Sequence, residues 1–179
     1  MSHREPEPLI LPDALTTDNP LWRYALARWQ NPAVSEACLA LQSRGWDVTR
    51  ILCAGWLAQN GQRFTGEESA KVTEWRSRVT GVIRSARKSI PRHAQALGHL
   101  RDTLARAELE AEKTELALAW HTLNSSRTEK DTMPDQAQLI RQNLQAAAPT
   151  PDMTPDRSLR TTLEQLANHL ATDREPDQC

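Results

Sequence analysis

Apolar residues in the middle of this chain recur at intervals of three and four, the spacing of one face of an α-helix. The repeat occurs in successive segments between Leu21 and Leu123, and residues that start or stop helices separate these segments. No run alternates with the period of a strand. The sequence therefore predicts an all-α fold.

The first three helices have recognisable starts. Asn19-Pro20 and Asn31-Pro32 each place a capping side chain before a proline at the first helical position. Asp47 can cap a third helix in the same way, and Gly45 before it suits a left-handed stop for the second.

Two more helices follow. Thr65 and Glu68 have the spacing of a capping box, which predicts the start of a fourth helix. Pro91 cannot continue that helix without losing a hydrogen bond, so a turn or a sharp kink is expected at 89–91. A fifth helix is predicted from about Arg92 to Leu123.

Composition divides the chain into three parts. Residues 1–18 contain three prolines and mixed charges, and are expected to form a flexible N-terminal arm. Residues 19–124 are predicted to form a compact bundle of about five helices. Residues 125–179 are polar and proline-rich, so we expect a poorly ordered C-terminal region: a linker and tail with one or two short helices.

Charge and cysteine content limit the binding partners and the cellular compartment that can be expected for this protein. Its 22 Lys and Arg residues nearly balance its 23 Asp and Glu residues, so any binding of nucleic acid or membrane requires a local patch. The N-terminus lacks the apolar region of a signal peptide, and no apolar run could span a bilayer. The three widely spaced cysteines suggest free thiols in a reducing compartment. These features predict a cytoplasmic protein.

Tryptophan is the commonest aromatic residue, with six copies against one Tyr and one Phe. Large rings bury much apolar area, which suits a modest core. A set of rings converging on a ligand is the alternative, and sequence alone does not separate the two interpretations. We favour rings buried in the core.

No catalytic, metal or cofactor site is recognisable. No Glu is followed three residues later by His, and His93, His99 and His121 lack the spacing that lets a helix chelate a metal. Nucleophile motifs and phosphate-binding glycine loops are also missing. These missing motifs favour a non-enzymatic protein over an enzyme, and no cofactor is expected.

The fourth predicted helix is strongly basic. At about 100° per residue, Arg76, Arg84, Arg87 and Lys88 share one sector beside an apolar stripe. Such a face could bind an acidic partner, phosphates or an anionic membrane surface. These four residues are the candidate partner-binding site.

An intramolecular explanation of the same charges stays open. If the chain turns at Pro91, the fourth and fifth helices become antiparallel neighbours. Glu108, Glu112 and Glu115 share one face of the fifth helix and could then neutralise the basic face.

Three hypotheses follow. The first is a non-enzymatic interaction protein that binds an acidic protein or RNA partner through the basic face. The second is a small-ligand-binding or enzymatic bundle with a Trp-lined pocket. The third is a nucleic-acid-binding module. The oligomeric state is left open.

Three ordered blocks of the chain resemble one protein family. They are LWRYALARWQNPAVSEACLALQSRGWDVTRILCAGWLA, EWRSRVTGVIRSARKSI and AELEAEKTEL. The resemblance spans about Leu21 to Leu123 and is to small proteobacterial proteins that carry only a domain-of-unknown-function label. It implies a helical, bacterial, cytoplasmic protein, and it brings no activity and no catalytic residues.

Overall fold

The computed structural model describes residues 7–125 and 135–172, and no strand occurs within those ranges. Seven helices are present in this described part: Pro20–Trp29 (α1), Pro32–Gln42 (α2), Val48–Gln59 (α3), a rod of three consecutive segments, Ala70–Trp75, Arg76–Thr80 and Gly81–Ser89 (α4), Gly98–Ser125 (α5), Gln136–Ala146 (α6) and Arg157–Thr172 (α7). The middle segment of α4 is a π turn, and a 3₁₀ turn at Gln95–Leu97 precedes α5. The predicted all-α class is confirmed, with seven helices rather than about five.

Some predictions concern residues outside the described ranges. They are the first part of the arm at 1–6, the linker segment 126–134, and the tail at 173–179 with Cys179.

The predicted starts of the first three helices are confirmed. Side-chain oxygens of Asn19, Asn31 and Asp47 accept hydrogen bonds of 2.9, 3.0 and 3.1 Å from backbone N–H groups in the first turns of α1, α2 and α3. Gly45 has a φ of +88°, the left-handed conformation expected after α2. Local signals therefore determine where these helices begin.

The predicted capping box of the fourth helix is wrong. Ser69 caps α4 instead, because its hydroxyl accepts a 3.3 Å hydrogen bond from the N–H two residues further on. The Thr65 hydroxyl accepts only from the N–H of Glu67. The Glu68 carboxylate, which the capping box would have used, accepts hydrogen bonds from Arg76.

The chain divides into two compact units that are discontinuous in sequence. Asp18–Glu67 and Leu123–Cys179 form one, here called the core unit. Met1–Thr17 and Glu68–Thr122 form the other, here called the hairpin unit.

The core unit consists of α1, α2, α3, α6 and α7. Helix α3 packs against α6, α2 packs against α7, and α6 and α7 also pack on each other. The interior is mostly apolar, and its largest fully buried apolar side chains are Leu21, Val34, Leu41, Ile51, Leu139, Ile140, Leu144 and Leu166. Half of this set comes from the two C-terminal helices, so α6 and α7 are integral to the core.

Polar contacts also attach α6 to α3 and to the segment that follows it. The Asn143 side chain is fully buried: its Oδ1 accepts a 2.9 Å hydrogen bond from the N–H of Phe64, and its Nδ2 donates to the carbonyls of Ala54 and Gln62 at 3.1 and 2.9 Å. Arg50 on α3 donates to the last carbonyls of α6 at 3.1 and 3.3 Å. The expectation of a core confined to 19–124, with a poorly ordered region after it, is therefore corrected.

The tryptophans are not uniformly buried. Trp46 is 4% exposed and belongs to the core, as expected. Trp29 is 40% exposed, so the prediction of a buried ring is wrong there. The other four rings are intermediate, and among them Trp56 packs on the edge of the core.

The hairpin unit contains α4, α5 as far as Thr122, and the segment at 7–17, which has no helix. Helix α4 ends at Ser89 and Ile90 is extended, so the predicted turn before Pro91 is confirmed. None of the described helices of the chain is long and apolar enough to cross a membrane.

Candidate partner-binding hairpin

Helices α4 and α5 run antiparallel and are joined by charged pairs along their length. Arg76, near the start of α4, pairs with Glu115 in the second half of α5, whereas Arg84 and Arg87 pair with Glu108, closer to its start. The indole N–H of Trp75 donates to a backbone carbonyl of α5 at 2.9 Å. The order of these contacts is that of a helical hairpin.

Arg76 is held between two carboxylates. Its guanidinium donates to both oxygens of Glu68 at 2.9 and 2.7 Å, and its Nε donates to Glu115 at 2.8 Å. The Glu115 side chain is only 2% exposed. A buried carboxylate needs a cationic partner, so the positive charge of Arg76 is neutralised within the hairpin unit by Glu68 and Glu115.

Arg84 and Arg87 converge on Glu108. Arg84 donates to Glu108 at 2.9 Å and to Glu112 at 2.6 Å, and Arg87 donates to both oxygens of Glu108. Burial by itself raises the pKa of the Glu108 carboxyl, but the hydrogen bonds from Arg87 and Arg84 together outweigh it, and the pKa lies below its ordinary value. Glu108 is therefore an ionised partner for both arginines.

Lys88 differs from the other three candidate residues. It is exposed, and it forms no ion pair with any described residue. The structure thus brings Arg76, Arg84 and Arg87 together with Glu68, Glu108, Glu112 and Glu115, and leaves Lys88 facing solvent. Most of the charge on the predicted basic face is compensated inside the hairpin.

The distal part of the hairpin, residues 81–107, is here called the hairpin end. None of its residues is buried, although it contains Val82 and Ile83 of α4 and three leucines around the start of α5. Val82 is 57% exposed, Leu97 43% and Leu100 49%. A pair of antiparallel helices has too little surface to enclose all the apolar side chains of both, which is consistent with this exposure.

The hairpin end is also strongly basic. It has six Lys or Arg residues and one acidic residue, Asp102. Arg84 and Arg87 are paired, as described. Lys88, Arg92 and Arg106 are exposed and form no ion pair with any described residue. The surplus of positive charge thus lies on the segment that also exposes Val82, Leu97 and Leu100.

Arg101 closes the tip of the hairpin. Its Nη1 donates to the carbonyls of Arg87 and Ile90 at 2.8 and 2.6 Å. These carbonyls lie at the C-terminal end of α4, where the last carbonyls lack the hydrogen bond that a continuing helix would give; the Arg87 carbonyl also accepts a 3.3 Å bond from the N–H of Ile90. The contact brings the start of α5 next to Lys88, so the exposed cations and leucines occupy one end of the unit.

The Trp-lined pocket of the second hypothesis stays a hypothesis. A shallow groove of about 550 Å³ lies on α7. It is lined by Arg157, Arg160, Thr161, Glu164, Gln165 and Asn168, whose aliphatic atoms form most of its surface, and none of these residues is a tryptophan. Within 7–125 and 135–172 no three His, Cys, Asp or Glu side chains are grouped so that they could hold a metal ion.

Sequence reasoning missed the hairpin end. The helical wheel grouped charges within α4, whereas the exposed cations Arg92 and Arg106 lie in the turn and on α5. The signal was the six-to-one charge ratio from 81 to 107, which spans two helices. A window centred on the turn, rather than on one helix, would have found it.

The comparisons with known proteins give one match. Residues 20–119 match the model of a family described as protein of unknown function (DUF2390). Neither the curated proteins nor the solved structures contain a significant match. The matched range runs from α1 into α5 and includes the entire hairpin end. Since it covers more than half of the chain, the protein belongs to the DUF2390 family.

Proposed function

We propose that this protein is a non-enzymatic interaction module that binds an acidic protein partner through the hairpin end. The observation that carries the proposal is the coincidence of exposed leucines with unpaired cations in residues 81–107. Exposed apolar patches rimmed by charge are typical of protein-binding surfaces. The cations would orient the partner and speed its association with the hairpin end. The leucines would supply apolar surface that is buried in the complex.

A protein partner accounts for the surface better than RNA does. The hairpin end contains no Trp, Tyr or Phe, the large rings on which unpaired bases stack, and its smaller aromatic rings are those of His93 and His99. Glu110, which is exposed and forms no ion pair with any described residue, also follows it directly on α5. A long phosphate backbone crossing both regions would be repelled by this carboxylate.

Arg84 and Arg87, two residues of the candidate site predicted from the sequence, are poor positions at which to test this function. Reversing Arg84 and Arg87 would place new carboxylates beside Glu108, which is buried and ionised. Loss of binding would then reflect damage to the hairpin. Lys88 and Arg92 are better probes because both are exposed and neither pairs with a described carboxylate.

The test is affinity capture from native lysate with the full-length protein, with and without nuclease. We expect Lys88→Glu combined with Arg92→Glu to lose a partner that the wild type retains, at an unchanged melting temperature. The matched control is Arg157→Glu with Arg160→Glu, which reverses two exposed cations of the core unit and should retain it.

Two outcomes would contradict the proposal. Recovery that nuclease abolishes would favour RNA. Equal recovery by the hairpin variant and the wild type would remove the hairpin end as the binding surface.

A cytoplasmic location is part of the same proposal. Cys38 and Cys53 are buried thiols of the core unit, and burial raises the pKa of the Cys38 thiol to about 12. Thiols of this kind are compatible with a reducing compartment. Fractionation of cells that express a tagged chain would test the location directly.

A further inference from the structure

We infer that the hairpin end receives an acidic amphipathic α-helix, which a partner protein lays along the leucines at the start of α5. This inference rests on the proposed function and specifies its partner. It depends on the spacing of the leucines, on the distribution of charge, and on the kinds of side chain at the hairpin end.

The leucines form a short ridge. Leu97, the last residue of the 3₁₀ turn, and Leu100 and Leu104 on α5 are spaced by three and four residues, and this leucine ridge is about 10 Å long. Leu97 and Leu100 are nearly half exposed, and Leu104 is partly buried. Helix-in-groove recognition uses anchors at the same intervals, so a partner helix with matching apolar positions could pack on the ridge.

The charge around the ridge excludes a second copy as the preferred occupant. A two-fold interface brings the same patch of both copies together. Here it would bring Lys88, Arg92 and Arg106 of one copy against the same cations of the other. An acidic helix avoids this repulsion and has complementary charge.

The side-chain types favour a helix over a lipid surface. Segments that lie in a membrane interface usually combine Lys and Arg with Trp or Phe anchors. The hairpin end has cations but no large aromatic residue, and its exposed leucines form a ridge rather than a broad face. Such a ridge suits packing between the side chains of another helix.

The experiment uses the full-length protein and a labelled synthetic peptide of about 18 residues, long enough to form a helix on binding. The peptide repeats leucine at helical spacing and has Glu on its other faces. A control peptide of identical composition has the leucines shuffled so that no helical face is apolar. Binding is measured by fluorescence anisotropy at two salt concentrations.

We expect the helical peptide to bind at least about tenfold more tightly than the shuffled one, a ratio that anisotropy resolves easily. Two separate variants, Leu97→Ser with Leu100→Ser and Lys88→Glu with Arg92→Glu, should each weaken binding by at least about tenfold. Only the charge variant should lose most of the salt dependence. Arg157→Glu with Arg160→Glu should bind as the wild type does. Circular dichroism verifies that each variant is folded.

Three results would overturn the inference. One is equal binding of the two peptides. Another is self-association in sedimentation that the Leu97→Ser, Leu100→Ser variant abolishes, since this would identify a second copy as the occupant. The third is tighter binding of single-stranded RNA or phosphatidylserine vesicles than of the helical peptide. If the lysate partner is still lost with the charge variant while the peptide fails to bind, the inference fails and the proposed function stands.

Discussion

Replacing Asn143 with Ala tests whether α6 is integral to the fold. The Asn143 side chain is fully buried and makes three hydrogen bonds, to the N–H of Phe64 and the carbonyls of Ala54 and Gln62. Alanine cannot replace any of them, and water has no ready access to the Phe64 and Ala54 groups, whose bonds are buried.

The size of the effect follows from those two buried partners. A buried polar group left without a partner costs about 1–3 kcal/mol, so two of them cost about 2–6 kcal/mol. The Gln62 bond is only partly buried, and water can replace part of it. We expect Asn143→Ala to lower the free energy of unfolding by about 3–5 kcal/mol, a large share of the stability of a typical domain.

Urea unfolding monitored by far-UV circular dichroism measures this difference. Gln145→Ala is the matched control, because Gln145 is exposed on the same helix and its loss should change stability by less than about 0.5 kcal/mol. A loss below about 1 kcal/mol for Asn143→Ala would refute the reasoning. It would mean that α6 is not firmly attached through this side chain.

Other predictions concern the core and the charged pairs. Gly55→Ala should destabilise by about 1–3 kcal/mol in the same assay, because its new Cβ would collide with the buried Tyr24 hydroxyl; wild-type stability would contradict that packing. Trp46→Ala should cost about 3–5 kcal/mol and Trp29→Ala about 1 kcal/mol or less, and similar losses for the two would show that burial does not set the cost. The folded-state pKa of Glu108 lies below the unfolded value of about 4.3, so its stabilisation is present above that pH and is lost as the pH falls through the folded pKa. Urea midpoints at neutral and acid pH should therefore differ less for Glu108→Gln than for the wild type, and an unchanged difference would rule out this contribution.

Features determined by neighbouring residues could be predicted from the sequence. The Asn19, Asn31 and Asp47 caps depend on a side chain and the backbone two or three residues away. The capping box failed for the opposite reason. Glu68 forms an ion pair with Arg76, a residue farther along the chain than the Thr65 backbone N–H with which the capping box would have paired it.

Packing between distant segments could not be predicted in the same way. Helix α6 has a short apolar face, and part of what holds it is the polar side chain of Asn143, which a hydrophobic pattern does not count. At the candidate site, the antiparallel alternative anticipated that Glu108, Glu112 and Glu115 meet the basic helix. Sequence alone could not decide which cations would remain exposed, because that depends on how each side chain is buried.

The discontinuity of the core unit has a consequence for synthesis of the chain. The Phe64–Asn143 contact spans 79 residues, and the Arg50–Ala147 contact spans 97. At translation rates of about 5–20 residues per second, Asn143 emerges about 4–16 s after Phe64. During that interval α2 and α3 lack the helices α6 and α7 that pack on them. The α4–α5 hairpin, which lies between α3 and α6 in the sequence, can already form from local contacts. The apolar faces of α2 and α3 in the nascent core unit therefore stay uncovered until α6 and α7 have been synthesised.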